Sequence, residues 1–320
     1  MEDLNRRTFL KQAAAYSALS VSGRSATTAA PDWKKHIGLE LYTVRDLVAK
    51  KYEETVAKVA EIGYKEVEPA SNGYAGLEPK QFRAMLDRYG LSMPSTHVPA
   101  IDGPGLEKEL EGFQIMGLKY IEIRAAGAAG AGAPRPPGAS KKGSSGGGPP
   151  PATEESTRRT AGQLNKHGET VKKFGMKMLY HNHAQEFQPF EGGTLRPYDI
   201  LLAETDPALV AMQLDIGWAS VAGQNILDMF RKNPGRFELW HVKDARNIRT
   251  MDPHLNQRER MRAAMLVPVG QGEIDYKPIF AAADLAGMKH FCIEQDNAAD
   301  WGDSLAAARI SFQNLNTMLT

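Results

Sequence analysis

A single cysteine, Cys292, stands in 320 residues, so no disulfide can close within the chain. An excess of one charge is missing too: 39 Lys and Arg face 38 Asp and Glu, for a formal net charge of +1. A duplex-binding protein needs a basic face to neutralise phosphates, and this balance offers none. No stretch approaches the roughly 20 apolar residues that span a bilayer. No Gly-x-Gly-x-x-Gly turn opens a first helix, so a dinucleotide-binding reading gains nothing. What is present is 42% apolar residues, enough for a large core. The chain is long for one domain unless the fold is an α/β barrel, where about 250 residues is typical.

The N-terminus is set apart. Asn5-Arg6-Arg7-Thr8-Phe9-Leu10-Lys11 resembles the twin-arginine export motif. A weakly apolar stretch follows from Ala13 to Val21, then small residues up to Ala29 and Ala30, which is the order of a signal peptide. The expectation is a signal over residues 1–30, read by the twin-arginine export machinery, that sends a folded domain of residues 31–320 to the periplasm or otherwise out. The plainer alternative is an amphipathic or disordered tail.

Beyond residue 36 strand-like and helix-like runs alternate. Gly63, Gly90 and Gly117 recur at intervals of 27, each followed at once by a strand-like run, and Gly175 and Gly287 repeat the motif. Glycine tolerates the left-handed conformation that ends a helix. Phe82, Met85, Leu86 and Tyr89 fall on one helical face behind Pro79, and Leu305, Ala308, Phe312, Leu315 and Leu319 on another. The pattern predicts strands over 37–42, 65–69, 92–97, 119–124, 177–182, 210–216, 237–243 and 290–295, with helices between them. Eight such units imply a parallel sheet closed into a single-domain (β/α)8 TIM barrel. Residues 125–152 break the rhythm, being almost wholly Ala, Gly, Pro and Ser. They cannot bury enough apolar area to offset their ordering entropy, so a mobile loop is expected after the fourth strand. It is either a lid on the mouth or a tolerated low-complexity insertion, and the second is preferred.

Four predicted strands end on metal-ligand types of residue: Tyr180-His181-Asn182-His183, Leu214-Asp215-Ile216-Gly217-Trp218, Trp240-His241-Val242-Lys243-Asp244 and Ile293-Glu294-Gln295-Asp296. A barrel gathers the carboxyl ends of its strands at one mouth, so these side chains could converge on one cation. Alternation puts Gln213 with Asp215, Leu239 with His241 and Lys243, and Cys292 with Glu294 and Asp296 on shared faces. His181 shares a face with His183 if its strand runs that far. His, Asp, His and Glu form a mixed nitrogen and oxygen shell that suits Mn, Zn, Co, Fe or Mg. Each residue also has a duller role: a structural histidine, a loop-capping Asp215, a Glu294 paired with a nearby base.

These stretches, with Ile37-Gly38-Leu39-Glu40-Leu41-Tyr42-Thr43-Val44-Arg45-Asp46, Glu186-Phe187 and Gly270-Gln271-Gly272-Glu273-Ile274-Asp275, resemble the sugar phosphate isomerase/epimerase family with a xylose isomerase-like barrel. That family also includes type IV-like apurinic endonucleases and inosose dehydratases. The resemblance implies one divalent metal ion (Mn, Co, Zn or Mg, with Mn favoured) held from strands five to eight by Asp215, His241 and Glu294. The fifth-strand ligand, Glu in the ketose epimerases, aligns with His181, and His183 competes for the place. Those epimerases use glutamates on strands five and eight as an acid/base pair. Only Glu294 is kept here, so their mechanism does not transfer whole.

The expected chemistry is proton abstraction beside a sugar carbonyl through a metal-stabilised enediolate. Glu294 would serve as base as well as ligand. Lys243 is a second acid/base candidate, its plainer role a salt bridge to Asp244 or Glu294, and Glu186 and His183 are further candidates. Tyr42, Arg45, Glu68, His97, His183 and Trp218 would bind substrate. The leading expectation is an exported isomerase/epimerase of a sugar or keto-sugar. A keto-glycoside lyase or inosose-type dehydratase is the alternative within the same site, and a non-catalytic sugar-binding protein is the alternative from another class. Balanced charge and the export motif set nucleic acid aside, and a homo-oligomer stays open.

Overall fold

Each apolar run becomes a strand somewhat shorter than predicted. The computed structural model describes residues 33–69, 74–101, 104–124 and 152–320. The expected export signal lies outside them, as does the insertion except for Ala152. Strands β1 (Gly38–Glu40), β2 (Glu66–Glu68), β3 (Ser95–Val98), β4 (Tyr120–Ile123), β5 (Lys177–His181), β6 (Val210–Asp215), β7 (Leu239–Val242) and β10 (His290–Ile293) form one parallel sheet. Its order is β2-β1-β10-β7-β6-β5-β4-β3. The two ends meet through a parallel bridge between Glu66 and Ser92. Bonds from the Val67 amide to the Ser92 carbonyl (2.9 Å) and from the His97 amide to the Pro69 carbonyl (3.2 Å) extend that seam and close the barrel.

Register does the positioning. Asp215 pairs with His241, and Cys292 pairs with His241 on the other side, so the ends of β6, β7 and β10 stand level. Outward side chains such as Val67, Met178, Leu214, Trp240 and Ile293 pack into the main core. Inward, Leu179, Ala211 and Leu239 make a small apolar plug with Tyr120. Below it Glu238 accepts from Tyr120 Oη at 2.9 Å and from Lys289 Nζ at 2.7 Å, and also pairs with Lys177. The barrel is therefore sealed at its amino end and polar at its carboxyl end.

The repeated glycines all have positive φ, between 64° and 124°. In the last helix, Ser304–Leu319, Leu305, Phe312 and Leu319 of the predicted stripe are half-buried, and the buried face is turned toward Leu315, Ser304, Ala307, Ala308 and Ser311. These small residues let it approach closely enough for Tyr64 Oη to donate to the Ala308 carbonyl at 2.8 Å.

One feature was not predicted. β8 (Asp244–Arg246) and β9 (Met265–Val267) form an antiparallel ribbon after β7. Three-residue strands joined across an 18-residue connection leave no periodic signal. Asp244 anchors the ribbon by accepting from the amides of Gly270 (2.9 Å), Gly272 (2.9 Å) and Ile274 (3.3 Å). The glycine-rich stretch is thus a wrap around one carboxylate: a Cβ on Gly272 would stand 2.0 Å from Asp244 Oδ1.

Candidate functional site

Every barrel strand brings a polar inward side chain to the mouth: Glu40, Glu68, His97, Glu122, His181, Asp215, His241 and, one residue past β10, Glu294. All but Glu122 are buried. His181, Asp215, His241 and Glu294 each offer one ligand atom, and the four atoms lie within 4.8 Å of one another. Ligands about 2.1 Å from a shared ion stand at most about 4.2 Å apart, so little closing is needed.

The unused atoms give the sharper test. His241 Nδ1 lies 2.7 Å from Glu294 Oε2, and Lys243 Nζ lies 3.1 Å from Asp215 Oδ2 and 2.8 Å from Glu294 Oε2. None of these contacts has hydrogen-bonding angles, so His181 Nδ1, Asp215 Oδ2, His241 Nδ1 and Glu294 Oε2 are all buried without a hydrogen-bond partner. A single such atom costs about 1–3 kcal/mol. Asp215 Oδ2, His241 Nδ1 and Glu294 Oε2, with His181 Nε2 3.8 Å from Asp215 Oδ2, make a set of two imidazoles and two carboxylates that fits a divalent cation.

Local structure sets each ligand. Asp215 ends β6 and caps the helix Ile216–Val221, its Oδ1 accepting from the Trp218 amide at 2.7 Å. The capping role read as an alternative is thus real, and it leaves Oδ2 for the site. Gly217 lies against Lys243, where a Cβ would meet the Lys243 Cβ at 2.4 Å. Gly217→Ala is expected to cost about 1–3 kcal/mol through overpacking and to displace Asp215, read as a lower melting temperature with weaker cation binding.

Lys243 is 1% exposed. Besides its contacts with Asp215 and Glu294 it donates to Asp296 Oδ2 at 2.8 Å, and its ammonium lies 5.3 Å from the centre of the Trp218 ring. The salt bridge expected to Asp244 or Glu294 therefore falls on Glu294, because Asp244 points away into the β8–β9 ribbon. Burial pushes the Lys243 pKa down, but Asp215, Asp296 and Glu294 outweigh it and hold it well above the usual range. Burial pushes Glu294 up, while the adjacent Lys243 ammonium, with Glu40 and His241 close by, outweighs it and holds it well below the usual carboxylate range. His181 is held well below its usual range by burial and then by His241, His183 and His97, which keeps the imidazole neutral as a ligand must be.

The remaining candidates separate by position. β5 ends at His181, so His183 lies past the strand, its ring 5.0 Å from that of His181, and it belongs to none of the ligand clusters among the described residues. The His183 amide donates to Glu186 Oε2 at 2.9 Å, and Tyr180 Oη donates to Glu186 Oε1 at 3.3 Å. Burial raises Glu186 to about 7. Glu186 and His183 line a cavity of about 240 Å³ beside His181, with Glu122, Arg124, Gln163 and His167. That is below the roughly 300–1,000 Å³ of drug-sized pockets and leaves room for a small ligand. Tyr42 sits on the turn after β1, close enough to Asp296 and Glu294 for both to act on its hydroxyl. Arg45 stacks on the Tyr42 ring at 4.2 Å and donates to the Tyr42 carbonyl at 3.0 Å. Trp218 is buried with its indole Nε1 lacking a hydrogen-bond partner. Glu68 and His97, expected to touch substrate, are 0% and 2% exposed and lie beneath the ligands, engaged by protein groups.

Glu40, Glu122, Gln213 and Asp296 were not among the site residues read from sequence. The signal was present, since Glu40 ends β1 and Glu122 stands one residue before the end of β4, both on the same inward parity as the chosen ligands.

A sequence model for the xylose isomerase-like TIM barrel matches residues 56–313. An inosose dehydratase of Geobacillus kaustophilus is 26% identical over 243 residues, covering 72% of this chain and 74% of that protein. A solved sugar phosphate isomerase/epimerase from Parabacteroides distasonis superposes with a TM-score of 0.66 at 19% identity, covering 93% of this chain and 98% of that one. A xylose isomerase-like TIM barrel protein of Mycobacterium smegmatis, solved in complex with magnesium, gives a TM-score of 0.58 at 16% identity, covering 91% and 98%.

Proposed function

We propose that this chain, which belongs to the xylose isomerase-like TIM barrel family, is a divalent-cation-dependent enzyme that removes a proton beside the carbonyl of a keto-sugar or keto-polyol. The observation that carries this is the grouping of one ligand atom each from His181, Asp215, His241 and Glu294 within 4.8 Å at the barrel mouth, with buried atoms on Asp215, His241 and Glu294 lacking hydrogen-bond partners, beside a small cavity. A cation held by those residues would act as a Lewis acid on the substrate carbonyl. Glu294 supplies the carboxylate that takes the α-proton, and Lys243, with its ammonium 2.8 Å from Glu294 Oε2, holds a proton that can be returned. Glu186 and His183 bound the cavity on the β5 side.

Two outcomes share that first step. Returning the proton to carbon gives isomerisation or epimerisation. Losing a β-hydroxyl instead forms a carbon–carbon double bond, the hydroxyl leaving with a proton as water. The second outcome is favoured here by His181, which stands where an epimerase would need its second glutamate, and by the dehydratase named among the relatives. The enzyme is expected to lose turnover on treatment with a chelator and to regain it with Mn, Co, Zn or Mg. A screen of keto-sugars, keto-inositols and keto-glycosides, read by mass spectrometry, separates the outcomes: unchanged mass marks isomerisation, and loss of water or aglycone marks elimination. A purified chain that binds no divalent cation would instead leave a sugar-binding protein.

A further inference from the structure

The layer beneath the ligands is as ordered as the ligands. His241 Nε2 lies 2.5 Å from Glu68 Oε1. A carboxylate only accepts, so the shared proton sits on Nε2, and in the neutral ring Nδ1 is left bare. Nδ1 is the atom that faces Glu294 and has no hydrogen-bond partner. Glu68 is itself held: its Oε2 accepts from Ser95 Oγ and from Gln213 Nε2, the latter at 2.8 Å. With its amide nitrogen committed to Glu68, Gln213 turns its oxygen to His97 Nε2, which donates to it at 2.7 Å. One chain of donors and acceptors thus runs His97, Gln213, Glu68, His241 across β3, β6, β2 and β7, and each member leaves the next a single orientation.

We infer that Glu68 is the positioning residue that fixes the tautomer and ring angle of His241, so that Nδ1 is the atom offered to the cation. The inference rests on the cation reading above and adds to it a residue that touches neither substrate nor metal. Glu40, Glu68 and His97 are also close enough to form a ligand cluster of their own. Both Glu68 oxygens are already bonded, however, so a second cation would have to displace His241, Ser95 or Gln213.

The outer hydrogen-bond partner of a ligating histidine is worth about 10–100-fold in metal affinity. Glu68→Gln keeps the shape but can offer His241 its NH2 group as readily as its oxygen. Mn or Co affinity by calorimetry is expected to fall within that range, with a changed visible spectrum of the Co(II) form. Gln213→Met, which removes one support of Glu68 without touching His241, is expected to weaken binding about tenfold, toward the lower end of the same range. Far-UV circular dichroism establishes that each variant is folded. Wild type binding one cation per chain while a folded Glu68→Gln binds it as tightly, with the same spectrum, overturns the inference and leaves the cation reading standing. Two cations in wild type and one in Glu68→Gln overturns it too, making Glu68 a ligand. No binding by wild type removes both.

Discussion

Lys243→Met is expected to melt well below the wild type without divalent cation, and to recover much of that deficit when cation is saturating. Lys243 is the buried counter-charge to Asp215, Glu294 and Asp296, all within 3.1 Å of its ammonium. Methionine fills the volume of the aliphatic stem and removes the charge. Breaking a buried ion pair from one side costs about 3–5 kcal/mol, because the partners stay buried and uncompensated. A cation on Asp215 and Glu294 restores positive charge at the same point. Without a competing ammonium the variant binds the cation more tightly than the wild type does, so the same cation concentration stabilises it more: binding at about 100 times the dissociation constant is worth about 2.7 kcal/mol, and each further tenfold in affinity adds about 1.4 kcal/mol. The measurement is thermal unfolding of both proteins, with chelator and with Mn. Equal melting temperatures under chelator would mean that Lys243 is not the counter-charge; a deficit that Mn does not reduce would separate Lys243 from the cation site.

Glu294→Gln carries the largest expected effect on turnover. The amide keeps an oxygen for the cation and loses the ability to accept a proton. At saturating cation, kcat is expected to fall by about 10²–10⁴, the range for a positioned general base. Exchange of the substrate α-proton with deuterium from solvent should fall in parallel, since it reports the abstraction step whichever product follows. Metal content is measured alongside, because Glu294 is also a proposed ligand. Undiminished exchange in a metal-loaded variant would move the base elsewhere, with Glu186 next in line: it is half-buried and lines the same cavity as His181, with a pKa raised to about 7.

Much of this architecture was legible in the chain. The glycines at 27-residue intervals marked helix ends because only glycine takes positive φ at no steric cost, and the structure has all of them there. The apolar runs marked strands because both outward core and inward plug demand them. The β8–β9 ribbon was not legible. It is held by one carboxylate, Asp244, accepting from backbone amides more than 25 residues away, and a backbone amide carries no sequence signature.

The site divides along the same line. Alternation in β6 and β7 and the common mouth of a barrel determined, without coordinates, that His181, Asp215, His241, Glu294 and Lys243 would be neighbours. Their division of labour came only with the fold. That Lys243 faces three carboxylates and not Asp244, that His183 falls past the end of β5, and that Glu68 lies under His241 all depend on where strands stop and how they pair. Residue type and local periodicity are written along the chain. Which nitrogen of His241 stays bare depends on a carboxylate 173 residues away, brought within 2.5 Å only when the barrel closes.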